Sequence, residues 1–115
     1  MADINKWLNE FKKSWIKKDV KAILNLFSED VEYYETPFHK LKNKIEIGRM
    51  WNEIALQKDI KLDFEVFCKE ENKYAIKWNL KFFNKKEFVY KGVYLLSLNL
   101  NDKCNHFMQY SEDNS

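Results

Sequence analysis

The chain has 115 residues, of which 45% are hydrophobic, 17% are aromatic and 33% are charged. This length predicts one domain, residues 1–115, and the composition is that of a globular protein rather than a disordered one. The net charge is only +2, with 20 basic residues against 18 acidic ones, and lysines often alternate with acids. The charge pattern therefore predicts no nucleic-acid partner.

Targeting and metal-binding signals are missing from the sequence. No apolar run approaches the roughly 20 residues of a transmembrane helix, and the first residues are polar and amphipathic. The two cysteines, Cys68 and Cys104, lack the short spacing of a metal site. We therefore expect a soluble, cytoplasmic protein with two reduced, mostly buried thiols and with no metal or cofactor.

Two amphipathic helices are predicted at the start of the chain. Residues 3–18 place a stripe of large side chains at helical spacing behind a potential N-cap at Asp3, namely Ile4, Trp7, Leu8, Phe11 and Trp15. A shorter helix is predicted to start near Asp19 and to bury Val20, Ile23, Leu24 and Phe27. Because the link between them is so short, the two helices must pack as a bent pair.

The first strand is predicted within residues 31–38. The only proline, Pro37, has no amide hydrogen for a strand ladder, so the strand should stop at Thr36. Glu35 is thereby placed at the mouth of a strand. Strand alternation puts its side chain on the same face as that of Tyr33.

A polar loop through His39 and Asn43 leads to a third helix, predicted over residues 44–58 with Ile47, Trp51 and Ile54 on its inner face. From Ile60 onward the apolar period changes to two, which is typical of strands. Four hairpin-linked strands are predicted, over residues 60–68, 74–82, 87–100 and 104–110. Helices followed by strands predict an α+β fold with a mostly antiparallel sheet.

The predicted strand at residues 87–100 is apolar on both faces. The helices can cover one face of the sheet, and the other face needs a second cover. We therefore expect a homodimer that pairs through this sheet.

Three segments resemble the SnoaL-like branch of the nuclear-transport-factor-2 superfamily, over nearly the whole chain. They run from Phe11 to Asp30, from Tyr33-Tyr34-Glu35-Thr36-Pro37-Phe38 to Trp51, and from Gly92-Val93-Tyr94-Leu95-Leu96 to Phe107. The resemblance implies a cone, with three N-terminal helices around a curved sheet and a pocket open at one end. It also implies a homodimer through the outer face of the sheet.

The superfamily includes ketosteroid isomerases, polyketide cyclases and dehydratases, and the resemblance lays their catalytic positions over this chain. The isomerase's tyrosine donor falls on Phe11, which has no hydroxyl. Its aspartate base falls at Glu35 or Thr36, and its protonated aspartic acid falls on Tyr94. These departures argue against steroid isomerisation. A dehydratase would need a buried His–Asp pair, and neither of the two histidines has an acid clearly placed for it.

The candidate site lies around Glu35. The rings that could wall a pocket are those of Trp15, Tyr33, Trp51 and Trp78, and Gln109 could supply an amide from the last strand. The leading interpretation is a small pocket protein that binds an apolar or aromatic molecule.

Two alternatives remain open. In a lyase or isomerase, Glu35 would act as a general base and Tyr94 would donate a hydrogen bond to a carbonyl oxygen. In a purely structural dimerisation domain, Glu35 would be a solvated rim residue and the rings would only fill the core. An open cavity of roughly 300 Å³ or more that contains the Glu35 side chain would separate these readings.

Overall fold

The computed structural model describes residues 3–114. Its elements are helices α1 (Ile4–Ile16), α2 (Val20–Leu24) and α3 (Lys44–Trp51), a 3-10 helix (Asn52–Leu56), and strands β1 (Phe27–Thr36), β2 (His39–Leu41), β3 (Lys58–Glu70), β4 (Lys73–Asn84), β5 (Lys86–Leu98) and β6 (Cys104–Asp113). The strand order is β2-β1-β6-β5-β4-β3, and only the β1–β6 pair is parallel. The prediction of an α+β fold with a mostly antiparallel sheet is confirmed.

Side-chain caps fix where the helices begin. The Asp3 carboxylate accepts hydrogen bonds from the Asn5 and Lys6 amides, and Asp19 accepts one from Ala22. Asn43 does the same for the Glu46 amide at the start of α3. Such caps satisfy amides that have no partner inside the helix, which is why both predicted aspartate caps are observed.

Three local predictions are wrong. Phe27, predicted in the second helix, opens β1 because the chain there pairs with Cys104 of β6. His39, predicted in a loop, lies on the short strand β2, which pairs only with β1. The third helix changes at Asn52 into the 3-10 helix instead of continuing to residue 58.

A fourth prediction, on the thiols, is half right. Cys104 is buried and Cys68 is exposed. The register between β3 and β4 shifts between Val66 and Cys68, so Cys68 pairs with Ala75. This bulge changes which side chains face the interior, and no single-strand pattern would reveal it.

The sheet curls around α1, and the ring of Phe11 lies at the centre of the core. Phe11 is fully buried, and its ring centroid lies 6.4 Å from that of Phe27 on β1 and 5.7 Å from that of Phe64 on β3. These strands are four positions apart, or about 19 Å in a flat sheet. Only a strongly curved sheet brings both rings against one helix.

No helix within residues 3–114 is both long and apolar enough to cross a membrane. In the same part of the chain, no three histidine, cysteine, aspartate or glutamate side chains come together in a set that would hold a metal ion.

Candidate functional site

A cavity of about 200 Å³ lies between the curved sheet and α1, α3 and the 3-10 helix. Five aromatic rings line it, those of Trp15, Trp51, Trp78, Phe82 and Tyr90. The other lining residues are Glu35, Met50, Glu53, Ile54, Gln57, Leu80, Gln109 and Ser111. Ring walls with a few polar groups are typical of small-molecule sites.

The structure brings five of the seven predicted site residues to this cavity and leaves two outside its wall. Trp15, Glu35, Trp51, Trp78 and Gln109 all line it. Tyr33 and Tyr94 lie in the core behind it, 1% and 0% exposed. They share a sheet face with the lining residues but occur further from the open end.

Glu35 lies where β1 ends. The turn that follows is held by the Phe38 amide, which donates to Thr36 Oγ1 at 3.2 Å. The Glu35 side chain is 39% exposed, and its Oε2 lies 3.8 Å from His39 Nδ1 across the β1–β2 turn. A polar contact this exposed contributes little to stability. The carboxylate therefore reaches both the cavity and the solvent.

The tryptophan rings of the wall are held in fixed orientations. Trp15 Nε1 donates to Gln57 Oε1 at 2.8 Å, and the Trp15 and Trp51 rings meet edge to face at 4.7 Å and 87°. Trp78 stacks on Tyr94, with centroids 5.2 Å apart and planes 15° apart. One face of the Trp78 ring is therefore packed against the core.

Four buried polar atoms have no hydrogen-bond partner within the described chain: Tyr33 Oη, Tyr94 Oη, Trp51 Nε1 and Trp78 Nε1. Roughly nine in ten buried polar groups in proteins have a partner, so four such atoms in one region require an explanation. Two of them belong to tryptophans of the cavity wall. Indole nitrogens are donors only, so each of these two requires an acceptor atom.

Burial raises the pKa of Tyr94, and the nearby Tyr33 raises it further. Burial also raises the pKa of Tyr33; the Trp51 indole opposes this rise, although no hydrogen bond of ordinary geometry joins the two groups. Both phenols therefore stay protonated throughout the physiological pH range.

These two phenols predict a loss of stability in alkali. Above the ordinary tyrosine pKa of 10.0, the unfolded chain releases protons that the folded chain keeps, so stability falls by about 1.4 kcal/mol per pH unit for each tyrosine. The double variant Tyr33→Phe, Tyr94→Phe should show a shallower loss in urea denaturation between pH 9 and 11. At pH 7 it should be at least as stable as the parent, because it removes two hydroxyls that have no partner. A double variant with the parent's slope would contradict the assignment.

Eight lining residues were not predicted from the sequence, and the alternation of side chains along the strands could have identified four of them. Leu80 and Phe82 alternate with Trp78 on β4, Tyr90 with Tyr94 on β5, and Ser111 with Gln109 on β6. The other four are Met50, Glu53, Ile54 and Gln57. They lie where the third helix changes from an α-helix to a 3-10 helix. The side chains of a regular α-helix would point in other directions at these positions.

A wider concavity of about 660 Å³ lies elsewhere, largely over the outer face of the sheet, with Glu32, Cys68, Leu95 and His106 among its lining residues. Within the described residues, its lining has one phenol ring, that of Tyr74, no phenylalanine or tryptophan ring, and none of the four unpartnered atoms. The smaller inner cavity is therefore the stronger candidate for a ligand site.

No family model and no curated protein matches this chain. Solved structures do match it. The epoxide hydrolase/cyclase-like enzyme SalBIII, with a role in pyran ring formation in the polyether salinomycin, superposes with a TM-score of 0.81 at 11% identity, over 94% of this chain and 89% of that one. Delta 5-3-ketosteroid isomerase from Mycobacterium sp. superposes with a TM-score of 0.78 at 13% identity, over 98% and 99%.

A SnoaL-like protein of the polyketide cyclase type from Shewanella denitrificans OS-217 superposes with a TM-score of 0.75 at 12% identity, over 94% of this chain and 89% of that one. This chain has the nuclear-transport-factor-2-like fold. The predicted resemblance is confirmed for the fold. At these identities the nuclear-transport-factor-2-like scaffold alone is established, because one fold serves many functions.

Proposed function

We propose that this chain, acting as one domain over residues 1–115, binds a small apolar or aromatic molecule in the inner cavity. The observation that carries the proposal is the cavity wall, which combines five aromatic rings with two indole N–H groups that have no partner in the described chain. The rings favour an apolar body. The unpartnered donors favour a ligand that also has an oxygen acceptor.

The cavity volume limits the size of this ligand. About 200 Å³ is below the range of roughly 300–1,000 Å³ that is usual for drug-sized ligands. A single substituted ring fits this space, and a steroid does not. Acetophenone, which has one ring and one carbonyl acceptor, is therefore a suitable probe.

Acetophenone should bind with a stoichiometry of one per chain in isothermal titration calorimetry. The variant Ser111→Phe places a ring at the cavity wall and should weaken binding about tenfold or more. Glu112→Phe is the matched control, since the next residue of β6 points to the opposite face of the sheet. Equal loss of binding in both variants, or no binding to the parent, would contradict the proposal.

Catalysis at the same cavity stays the alternative prediction, with Glu35 as base and Tyr94 as donor. Solved structures of this fold include an isomerase and an epoxide hydrolase/cyclase-like enzyme, which supports considering it. The position of Glu35 in the wall favours this alternative, while Tyr94 lies outside the wall with its ring stacked on that of Trp78. Binding without chemistry requires no movement of that ring and is the simpler proposal.

We also propose that the chain forms a homodimer through the outer face of the sheet. That face exposes large apolar side chains on four neighbouring strands: Phe67, Phe83, Leu95 and Tyr110. Light scattering at tens of micromolar should give twice the 14.1 kDa chain mass. Leu95→Lys should give the single-chain mass, whereas Phe38→Lys, in the exposed β1–β2 turn, should not. A light-scattering mass of one chain for the unsubstituted protein would contradict the dimer.

The proposed location is the cytoplasm. Both cysteines are free, one of them exposed, and exposed free thiols are usual where the environment is reducing.

A further inference from the structure

The charged groups of the inner cavity are all negative. Glu35 and Glu53 line it, and within residues 3–114 no lysine, arginine or histidine belongs to its wall. The chain as a whole has a net charge of +2, so the cavity differs in sign from the rest of the molecule. The nearest basic group to Glu35 is His39, at 3.8 Å and outside the wall.

Tyr90 also lines the cavity and lies close to negatively charged side chains. Burial raises the pKa of its phenol, and the carboxylates of Asp113 and Glu53 raise it further. Two carboxylates, Glu35 from β1 and Glu53 from the 3-10 helix, therefore line the cavity. An anionic ligand would be repelled there.

The aromatic rings of the wall favour a cation. The face of an indole or phenol ring is electron-rich and attracts a cation that lies within about 6 Å of its centroid. Trp78 lines the cavity and has one face covered by Tyr94. Trp15 and Trp51, joined edge to face, form the adjacent wall. Rings and carboxylates around one small space are the arrangement that recognises an organic ammonium group.

We propose that the cavity selects a small organic cation, a protonated or quaternary amine, over neutral and anionic molecules of the same shape. This proposal rests on the proposed function and adds the charge of the ligand. The Glu35 carboxylate keeps part of its solvation because its side chain is 39% exposed. The cation therefore gains attraction without burying an isolated charge, which would be costly.

The test compares three probes of one shape and different charge. Choline, 3,3-dimethylbutan-1-ol and 3,3-dimethylbutanoate carry the same branched head, with a quaternary nitrogen, a neutral carbon and a carboxylate on the chain, respectively. Each is titrated into the full chain and followed by the indole N–H resonances of isotope-labelled protein. We expect choline to bind about tenfold more tightly than the alcohol, and the carboxylate to bind more weakly than both.

Two charge-neutralising variants locate the effect. Glu35→Gln and Glu53→Gln keep the side-chain shape, and each should weaken choline binding about threefold to fivefold more than it weakens binding of the alcohol. Glu112→Gln, outside the wall, is the matched control and should change neither. The two proposals can fail separately. If the alcohol or acetophenone binds as predicted but choline has no advantage, the charge inference is overturned and the cavity remains a binding site. If none of the probes binds, both proposals are overturned.

Discussion

Replacing Phe11 by alanine should destabilise the chain by about 3–5 kcal/mol. The Phe11 ring is fully buried and touches rings from both helical and strand elements: Trp7, Trp15, Phe27, Trp51, Phe64, Tyr94 and Phe107. Truncation leaves a cavity that the curved sheet cannot close, because its strands are bonded to one another. Urea denaturation measures the loss directly.

Phe38 is the matched control for this substitution. Its ring is 101% exposed in the β1–β2 turn, so Phe38→Ala should leave the denaturation midpoint almost unchanged. A small effect at Phe11, comparable to that at Phe38, would show that α1 is not enclosed by the sheet.

Gly92→Ala should cost about 3 kcal/mol or more. A β-carbon at Gly92 would overlap the carbonyl oxygen of Tyr110 on β6 and would lie 2.8 Å from Cζ2 of Trp78 on β4. Neither neighbour is free to move, since one is backbone and the other is a large ring packed on Tyr94. The Trp78 ring occupies the space above Gly92, so the substitution should also disturb the cavity wall. Denaturation and the indole resonance of Trp78 measure the two effects.

Gly48→Ala tests whether any glycine would behave in this way. Its β-carbon would meet only the Cδ1 of Leu24, at 3.2 Å, the far end of a flexible side chain. Alanine is also about 1 kcal/mol better than glycine inside a helix, which offsets the crowding. We expect a net change within about 1 kcal/mol. A loss at Gly48 as large as that at Gly92 would contradict this account of Gly92.

Local chemistry made much of the fold predictable from the sequence. Pro37 ends β1 at Thr36 because it lacks an amide hydrogen, and Asp3 and Asp19 start helices because their carboxylates cap free amides. The four long strands follow from an apolar period of two. Each of these features depends on residues close together in the chain.

The features that were missed depend on distant parts of the chain. Phe27 is in a strand because its partner Cys104 comes 77 positions later, and β2 exists only because β1 lies beside it. The sequence also placed Tyr33, Trp78 and Tyr94 together at one predicted site. Only the depth of each along the cone decides that Trp78 lines the cavity and that the tyrosines do not.

The central claim is that the inner cavity receives a ligand, and the four indole N–H groups test it most directly. In isotope-labelled protein each tryptophan gives one indole resonance, and Trp7 is an internal reference because its Nε1 donates to the Leu26 carbonyl oxygen at 3.0 Å, away from the cavity wall. On titration with acetophenone, the Trp51 and Trp78 resonances should shift in a saturable way, and that of Trp7 should stay in place. Unmoved Trp51 and Trp78 resonances at millimolar acetophenone, or a shift of Trp7 alone, would contradict the claim.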